Sequence, residues 1–445
     1  MTIFHRSFFL LLLFVFSIAR AQNDSIIDGH PAWIIQGNIY EVNVRQYTPE
    51  GTFKAFEKNL DHLKDMGVQT LWFMPINPIS KVDRKGALGS YYAVADFKAI
   101  NPEFGNMNDW KALVKSAHSK GFKVLMDWVP NHSGADNSWL KTHPDFYVKD
   151  SLGNPKMEFD WTDTRKLNYD NPELVDTMIN CMKFWITETG IDGFRCDHAD
   201  GPTQAFWTRC IKELKAVKNV FMLAEAEQPW MFTAGFDAIY PWPMFHTMVD
   251  VAGGKKNATA LDSVLHLQDS LYPRNGLMMY FTSNHDENSW NKADYATMPG
   301  ESHAPFAVLT QTLPRSVPEI YSGQEEPFLD SISFFYKDTI VFSNYARAPF
   351  YKTLLLLRKS NPALAADASF TKMQTGNDEN IFAFKRQKGN NKVMVIVNLS
   401  NTAQSFRFNG AMPPLMRDMF TQKLDEIHKG EGMTLPAWGY RVYSY

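Results

Sequence analysis

The chain has 445 residues, 44% of them hydrophobic, enough to bury the core of one large barrel with an appended domain. Its formal net charge of −3 argues against a nucleic-acid partner and for a neutral or small-molecule one. The three cysteines, Cys181, Cys196 and Cys210, are odd in number and sit in apolar stretches, so they read as buried thiols and not as a disulfide framework.

Residues 1–21 combine a basic start (His5, Arg6), an apolar run over 8–18 and Ala19-Arg20-Ala21, the small-x-small cleavage pattern of a secretory signal. That run is shorter than the about 20 residues needed to span a bilayer. The expectation is an exported chain, periplasmic or extracellular, with no stable membrane insertion.

Short apolar runs then alternate with amphipathic helical patterns, as in a parallel α/β sheet. Residues 39–44 form a first strand. Phe53, Phe56, Leu60 and Leu63 predict one helix over 52–66, stopped by Gly67. "TLWFMP" (70–75) and "KVLMD" (123–127) are the second and third strands, separated by a helix carrying Trp110, Leu113, Val114 and Ala117. Residues 133–171 break the rhythm, being polar, aromatic and aperiodic; a stretch of that length is a functional loop or a small inserted domain.

Asn171-Pro172-Glu173 then starts a helix. "GIDGFRCDHAD" (190–200), "VFMLAE" (220–225), "FDAIYPW" (236–242), "LMMYFTSNHDE" (277–287) and "SVPEIYSGQE" (316–325) supply the remaining strands. Eight such units predict a (β/α)8 TIM barrel over residues 22–360. A doubly wound sheet competes, but no glycine-rich phosphate loop follows the first strand. Residues 361–445 are β-rich with regular turns, predicting a C-terminal antiparallel β-sandwich.

In such a barrel the chemistry sits at the C-terminal strand ends. Those ends carry Asp127, Asn131 and His132 (third), Arg195 and Asp197 (fourth), Glu225 (fifth), and His285 and Asp286 (seventh). Arg195 and Asp197 lie two apart, on one side of their strand, and buried charges are costly unless paired. Two carboxyl groups flanking a bond are what glycoside hydrolysis requires. Arg195 would keep Asp197 ionised for attack, while the apolar run before Glu225 would favour its protonated form.

At these residues the chain resembles the α-amylase family of glycoside hydrolases, family 13. "MDWVPNH", "GFRCD", "LAE" and "TSNHD" resemble the family's motifs on strands three, four, five and seven, and "GSYYAVADFKAINPEFG" resembles its segment before the third strand. The resemblance implies Asp197 as nucleophile, Glu225 as acid/base and Asp286 as the third catalytic carboxylate. It implies that Arg195 pairs with the nucleophile, that His132 and His285 bind hydroxyls of the cleaved sugar, and that Tyr92 stacks on it. Glu227, on the same side of its strand, is the rival for the acid.

The implied activity is retaining hydrolysis of α-glucosidic, mainly α-1,4, bonds in starch-derived glucans or maltooligosaccharides. A transglycosylase or α-1,6-acting relative would share every residue named, and a non-catalytic glucan-binding homologue is the reading from another class. No cofactor is needed by this chemistry. Many members bind a structural calcium through the asparagine at Asn131, but Lys166 stands where an aspartate ligand would be, so a required calcium is not expected. Asp200-Gly201 replace the Lys-His that many amylases carry.

Overall fold

The computed structural model describes residues 25–445 except 292–297, 299, 329, 411 and 414. The expected signal segment, 1–21, therefore lies outside the described residues. Eight parallel strands make the barrel: β1 (Ile39–Val42), β2 (Thr70–Phe73), β3 (Lys123–Trp128), β4 (Gly193–Cys196), β5 (Phe221–Ala224), β6 (Ala238–Ile239), β7 (Leu277–Met278) and β8 (Glu319–Tyr321). Their order is β7-β6-β5-β4-β3-β2-β1-β8. The ring closes between the two ends of that order. Met278 bridges Ser316 in parallel, Val317 N–H donates to the Met278 carbonyl at 2.8 Å, and Glu319 N–H donates to that of Tyr280 at 2.9 Å. A closed ring excludes the doubly wound alternative.

The strands are buried along both faces, which is why they read as continuous apolar runs. Several are shorter than their sequence patterns. β1 stops at Val42 and a one-turn helix, Val44–Tyr47, follows. The helix expected over 52–66 is two, Phe53–Glu57 and Leu60–Met66. Asn59 sits at the break, its side-chain amide donating to the Ala55 carbonyl, a local bond that competes with the helix ladder. β7 contributes two residues to the sheet, and His285–Asn291 turns into a short helix. Asn171 caps the helix Pro172–Thr189 as its sequence suggests, accepting from the Glu173 and Leu174 N–H groups.

Between β3 and that helix, the inserted stretch forms a small antiparallel hairpin, His132–Gly134 with Thr164–Lys166. All three cysteines are buried and unpaired. Among the described residues no helix is long and apolar enough to cross a membrane.

After the helix Ala348–Ser360 come eight more strands: β9 (Ser369–Met373), β10 (Ile381–Lys388), β11 (Asn391–Asn398), β12 (Gln404–Arg407), β13 (Met416–Asp418), β14 (Leu424–Asp425), β15 (Gly432–Leu435) and β16 (Tyr440–Ser444). Six form an antiparallel sheet in the order β9-β10-β11-β16-β13-β14, and β12 pairs with β15. The two sheets share a core of Ile381, Met394, Ile396, Phe406, Leu435 and Tyr443. Barrel and sandwich are joined by the buried guanidinium of Arg386. Its five N–H donors reach the carbonyls of Thr312, Leu313, Ala365, Ala368 and Ser369.

Candidate active site

The β3–β4 register puts Asp127 directly opposite Arg195, so their side chains leave the sheet on the same side. Arg195 is fully buried and Cys196 turns the other way into the core. The guanidinium is the hub of the site. Its Nη1 donates to Asp127 Oδ1 at 3.1 Å and to Asp197 Oδ1 at 2.9 Å, and its Nε to the Tyr240 hydroxyl at 3.2 Å. Nη2 lies 2.8 Å from Glu225 Oε1, a charge contact whose angle is too poor for a hydrogen bond. The rings of Trp72, Tyr92 and Tyr240 enclose the cation at 5.1, 5.8 and 5.5 Å.

Three carboxyl groups thus crowd one cation, and their titrations are linked. Burial pushes Asp127 up to about 7, against the pull of Arg195 and His285. Burial and then the Glu225 charge raise the Asp197 carboxyl, with Arg195 opposing. Asp127 lies fully buried behind the guanidinium, and Asp197 and Glu225 are the two groups that face the cavity. Glu225 does not sit in the apolar pocket that its flanking residues suggest. Strand alternation sends those side chains elsewhere, and its carboxylate meets Arg195 and, through Oε2, the His198 backbone N–H at 2.8 Å.

His285 opens the helix after β7. Its Nδ1 lies 2.6 Å from Glu41 Oε1, its Nε2 2.8 Å from the Tyr92 hydroxyl and 3.4 Å from Asp286 Oδ2. Burial works against its charge, but Asp286 and the hydrogen-bonded Glu41 raise it to about 9. An imidazolium can donate from both nitrogens, which leaves the Tyr92 hydroxyl free to donate to Asp127 Oδ2 at 3.2 Å. Asp286 is more open than Asp127, Asp197 and Glu225, its side chain 38% exposed.

His132 also lines the cavity. Its Nε2 lies 3.1 Å from the Tyr92 carbonyl and its Nδ1 3.2 Å from the Asn131 amide, so both nitrogens are engaged within the protein. Burial and the neighbouring His198 push it down to about 4, a neutral ring. Glu227 is exposed, and its backbone carbonyl accepts from the Tyr272 hydroxyl.

Asp197, Glu225, Asp286, Tyr92, His132 and Glu227 line one cavity of about 1020 Å³ at the C-terminal end of the barrel, with Arg195 and His285 packed beneath. Phe159, Trp161, Trp290, Phe334 and Phe335 add aromatic walls. Sequence reasoning missed Glu41, His198 and Tyr240. A lone acid inside the apolar strand "IYEV" was the signal available for Glu41.

The Asn131 Oδ1 is buried without a hydrogen-bond partner, but the ammonium of Lys166 is already present, 2.7 Å from Glu158 Oε1. Burial favours the neutral Glu158, yet hydrogen bonds from Lys166 and Asn131 hold its carboxyl below the ordinary value. A calcium ion needs about six to eight oxygen ligands. Among the described residues no three His, Cys, Asp or Glu side chains gather to hold a metal.

The family model for the α-amylase catalytic domain matches residues 14–393. The chain belongs to the α-amylase family. As such it is a glycoside hydrolase. It is 25% identical to α-amylase 2 of Dictyoglomus thermophilum over 443 residues, 88% of this chain and 73% of that one. Among solved structures it resembles a noncanonic maltogenic α-amylase from Thermotoga neapolitana, with TM-score 0.84 and 28% identity, covering 92% of this chain and 99% of that one. The α-amylase from Lactobacillus plantarum gives 0.84 and 28%, covering 93% and 99%.

Proposed function

We propose that the protein is an exported retaining hydrolase of α-glucosidic, mainly α-1,4, bonds in starch-derived glucans and maltooligosaccharides. Asp197 attacks the anomeric carbon, Glu225 protonates the leaving oxygen and later deprotonates water, and Asp286 steadies the distorted sugar. Tyr92 supplies the stacking surface, and His285 donates to a sugar hydroxyl once substrate displaces the Tyr92 hydroxyl from its Nε2. His132 serves through its ring face in the free site, its nitrogens being occupied.

One observation carries this reading: a single buried guanidinium touches both Asp197 and Glu225. That supports a retaining pair, whose carboxyl groups stand about 5–5.5 Å apart, over the wider spacing of about 6.5–9.5 Å that admits a water. The acids outnumber Arg195 and His285, so the cavity favours the positive charge that grows on the sugar in the transition state. The substrate class follows the names of the relatives, an α-amylase and a maltogenic α-amylase. Export rests on the residues 1–21 pattern, and no calcium is required in this proposal.

The test uses an activated aryl or fluoride glycoside. Asp197→Asn cannot form the glycosyl-enzyme and stays inactive. Glu225→Gln forms it and stalls, because water lacks its base, and azide releases it. Azide rescue of neither variant, or this behaviour from Glu227→Gln instead, would refute the assignment. Product time courses on starch, pullulan and maltoheptaose separate hydrolysis from transfer and α-1,4 from α-1,6 cleavage.

A further inference from the structure

Glu319 is a buried acid with no part in the chemistry above. It sits in β8, and neither of its carboxyl oxygens has a hydrogen-bond partner among the described residues. A glutamate is almost never buried in this way unless it is paired or used. Glu319 stands opposite Ile39 and Tyr321 opposite Glu41, and β1 in turn sets Ile39 against Thr70 and Glu41 against Trp72. Residues opposite one another, or two apart on a strand, share a face. Trp72 Nε1 donates to Asp127 Oδ2 and Glu41 holds His285 Nδ1, so that face is the barrel interior and Glu319 lies one step below Glu41. Thr70, at the same level, is likewise buried with its Oγ1 unpartnered.

Burial, and then the Glu41 charge, push the Glu319 carboxyl well above its ordinary value. Near neutral pH it is an uncharged acid with one O–H to donate. Glu41 faces Glu319, His285, Tyr240 and Tyr321. Of those groups Glu319 alone has no hydrogen bond of its own. His285 in turn faces Glu41, Asp127, Arg195, Asp286, Glu287 and the Tyr92 hydroxyl. Buried polar atoms that meet no protein partner are ordinarily met by water.

We propose that Glu319 is a positioning residue: an uncharged acid in the barrel core that donates, through buried water shared with Thr70, to the Glu41 carboxylate and so fixes the acceptor that orients His285. The inference rests on the hydrolase reading above, in which His285 meets the sugar, and extends the site one layer down the barrel. A donor on Glu41 matters most once His285 gives up its proton, because that step leaves the Glu41 anion without its partner. Glu319 thereby also sets the pH at which the pair comes apart.

The test uses the full chain and two variants: Glu319→Gln stays uncharged and keeps a donor, and Glu319→Leu has none. The titration of the His285 imidazole is followed by NMR and assigned against His285→Gln. Glu319→Leu should raise the His285 midpoint by about half a unit and lower kcat/KM for maltotetraose roughly tenfold, while Glu319→Gln leaves both as in the parent. A midpoint that moves in Glu319→Gln would mean that Glu319 carries charge. One unmoved in Glu319→Leu, or an unchanged kcat/KM there, would mean that Glu319 only fills space; each result overturns the proposal. Should Glu319→Leu not fold, the infrared difference between parent and Glu319→Gln decides. A protonated-carboxyl band at about pH 8, above the ordinary carboxyl range, upholds the proposal and a carboxylate band overturns it. The midpoint needs no turnover, so a parent inactive on maltotetraose would overturn the hydrolase reading alone.

Discussion

Glu41 is the buried acid whose removal tests the electrostatics of the site most directly. Glu41→Gln keeps the shape and an acceptor for His285 Nδ1 but removes the charge. His285 stands at about 9 against an ordinary 6.5. That difference corresponds to about 3 kcal/mol favouring the protonated ring in the folded protein. Asp286 and Glu41 share the effect against burial. The Asp286 side chain is 38% exposed and screened by solvent, whereas that of Glu41 is fully buried, so Glu41 carries the larger share.

The variant should therefore lose about 1.5–2 kcal/mol near neutral pH or below. The sign follows from the direction of the shift. A folded value above the unfolded one gives stability that is complete below about 6.5 and lost as pH rises through about 9. Urea unfolding at about pH 6, 8 and 10 should show the gap between parent and variant shrinking steadily. The alkaline limb of kcat/KM should also move down by about one unit. A gap constant across that range, or growing with pH, would mean that His285 is neutral in the folded protein and that the charge assignment here is wrong.

Two further outcomes are expected. Dialysis against a chelator should leave activity and Tm unchanged, because the Lys166 ammonium already neutralises Glu158 beside Asn131; a loss restored by calcium would refute this and make Asn131 the first ligand to test. Arg386→Met should destabilise the chain by about 3–5 kcal/mol, since it orphans buried carbonyls at the seam between barrel and sandwich. A loss in urea unfolding below about 1 kcal/mol would show that water or repacking satisfies them.

The barrel was legible because each buried strand is a short run of apolar residues between turn signals, and the ring needs no other information than eight of them. Boundaries were less so: nothing in "LMMYFTSNHDE" marks where the ladder ends, because the helix His285–Asn291 starts from the hydrogen bonds that Asn284 offers to the Asp286 and Glu287 N–H groups. The site acids stood out as charges where a strand pattern ends. Glu41 did not, because it lies inside its strand and its partner His285 is 244 residues away. The same limit explains the misjudged surroundings of Glu225. Its chain neighbours are apolar, yet its carboxylate faces what β4 supplies, and that is Arg195.

A buried cation surrounded by three carboxyl groups also explains why the site can be both stable and reactive. Removing one partner of such a cluster usually costs more than the cluster contributes, because it leaves a charge uncompensated. Asp127 meets that cost with donors on both oxygens, from Arg195, Trp72 and Tyr92. Arg195 also touches Asp197 and Glu225, and it is too buried to move toward substrate itself. In the double displacement proposed above, the ester would take Asp197 out of the cluster, and Glu225 would be the carboxyl group still beside Nη2. One guanidinium would then hold a partner in both halves of the reaction.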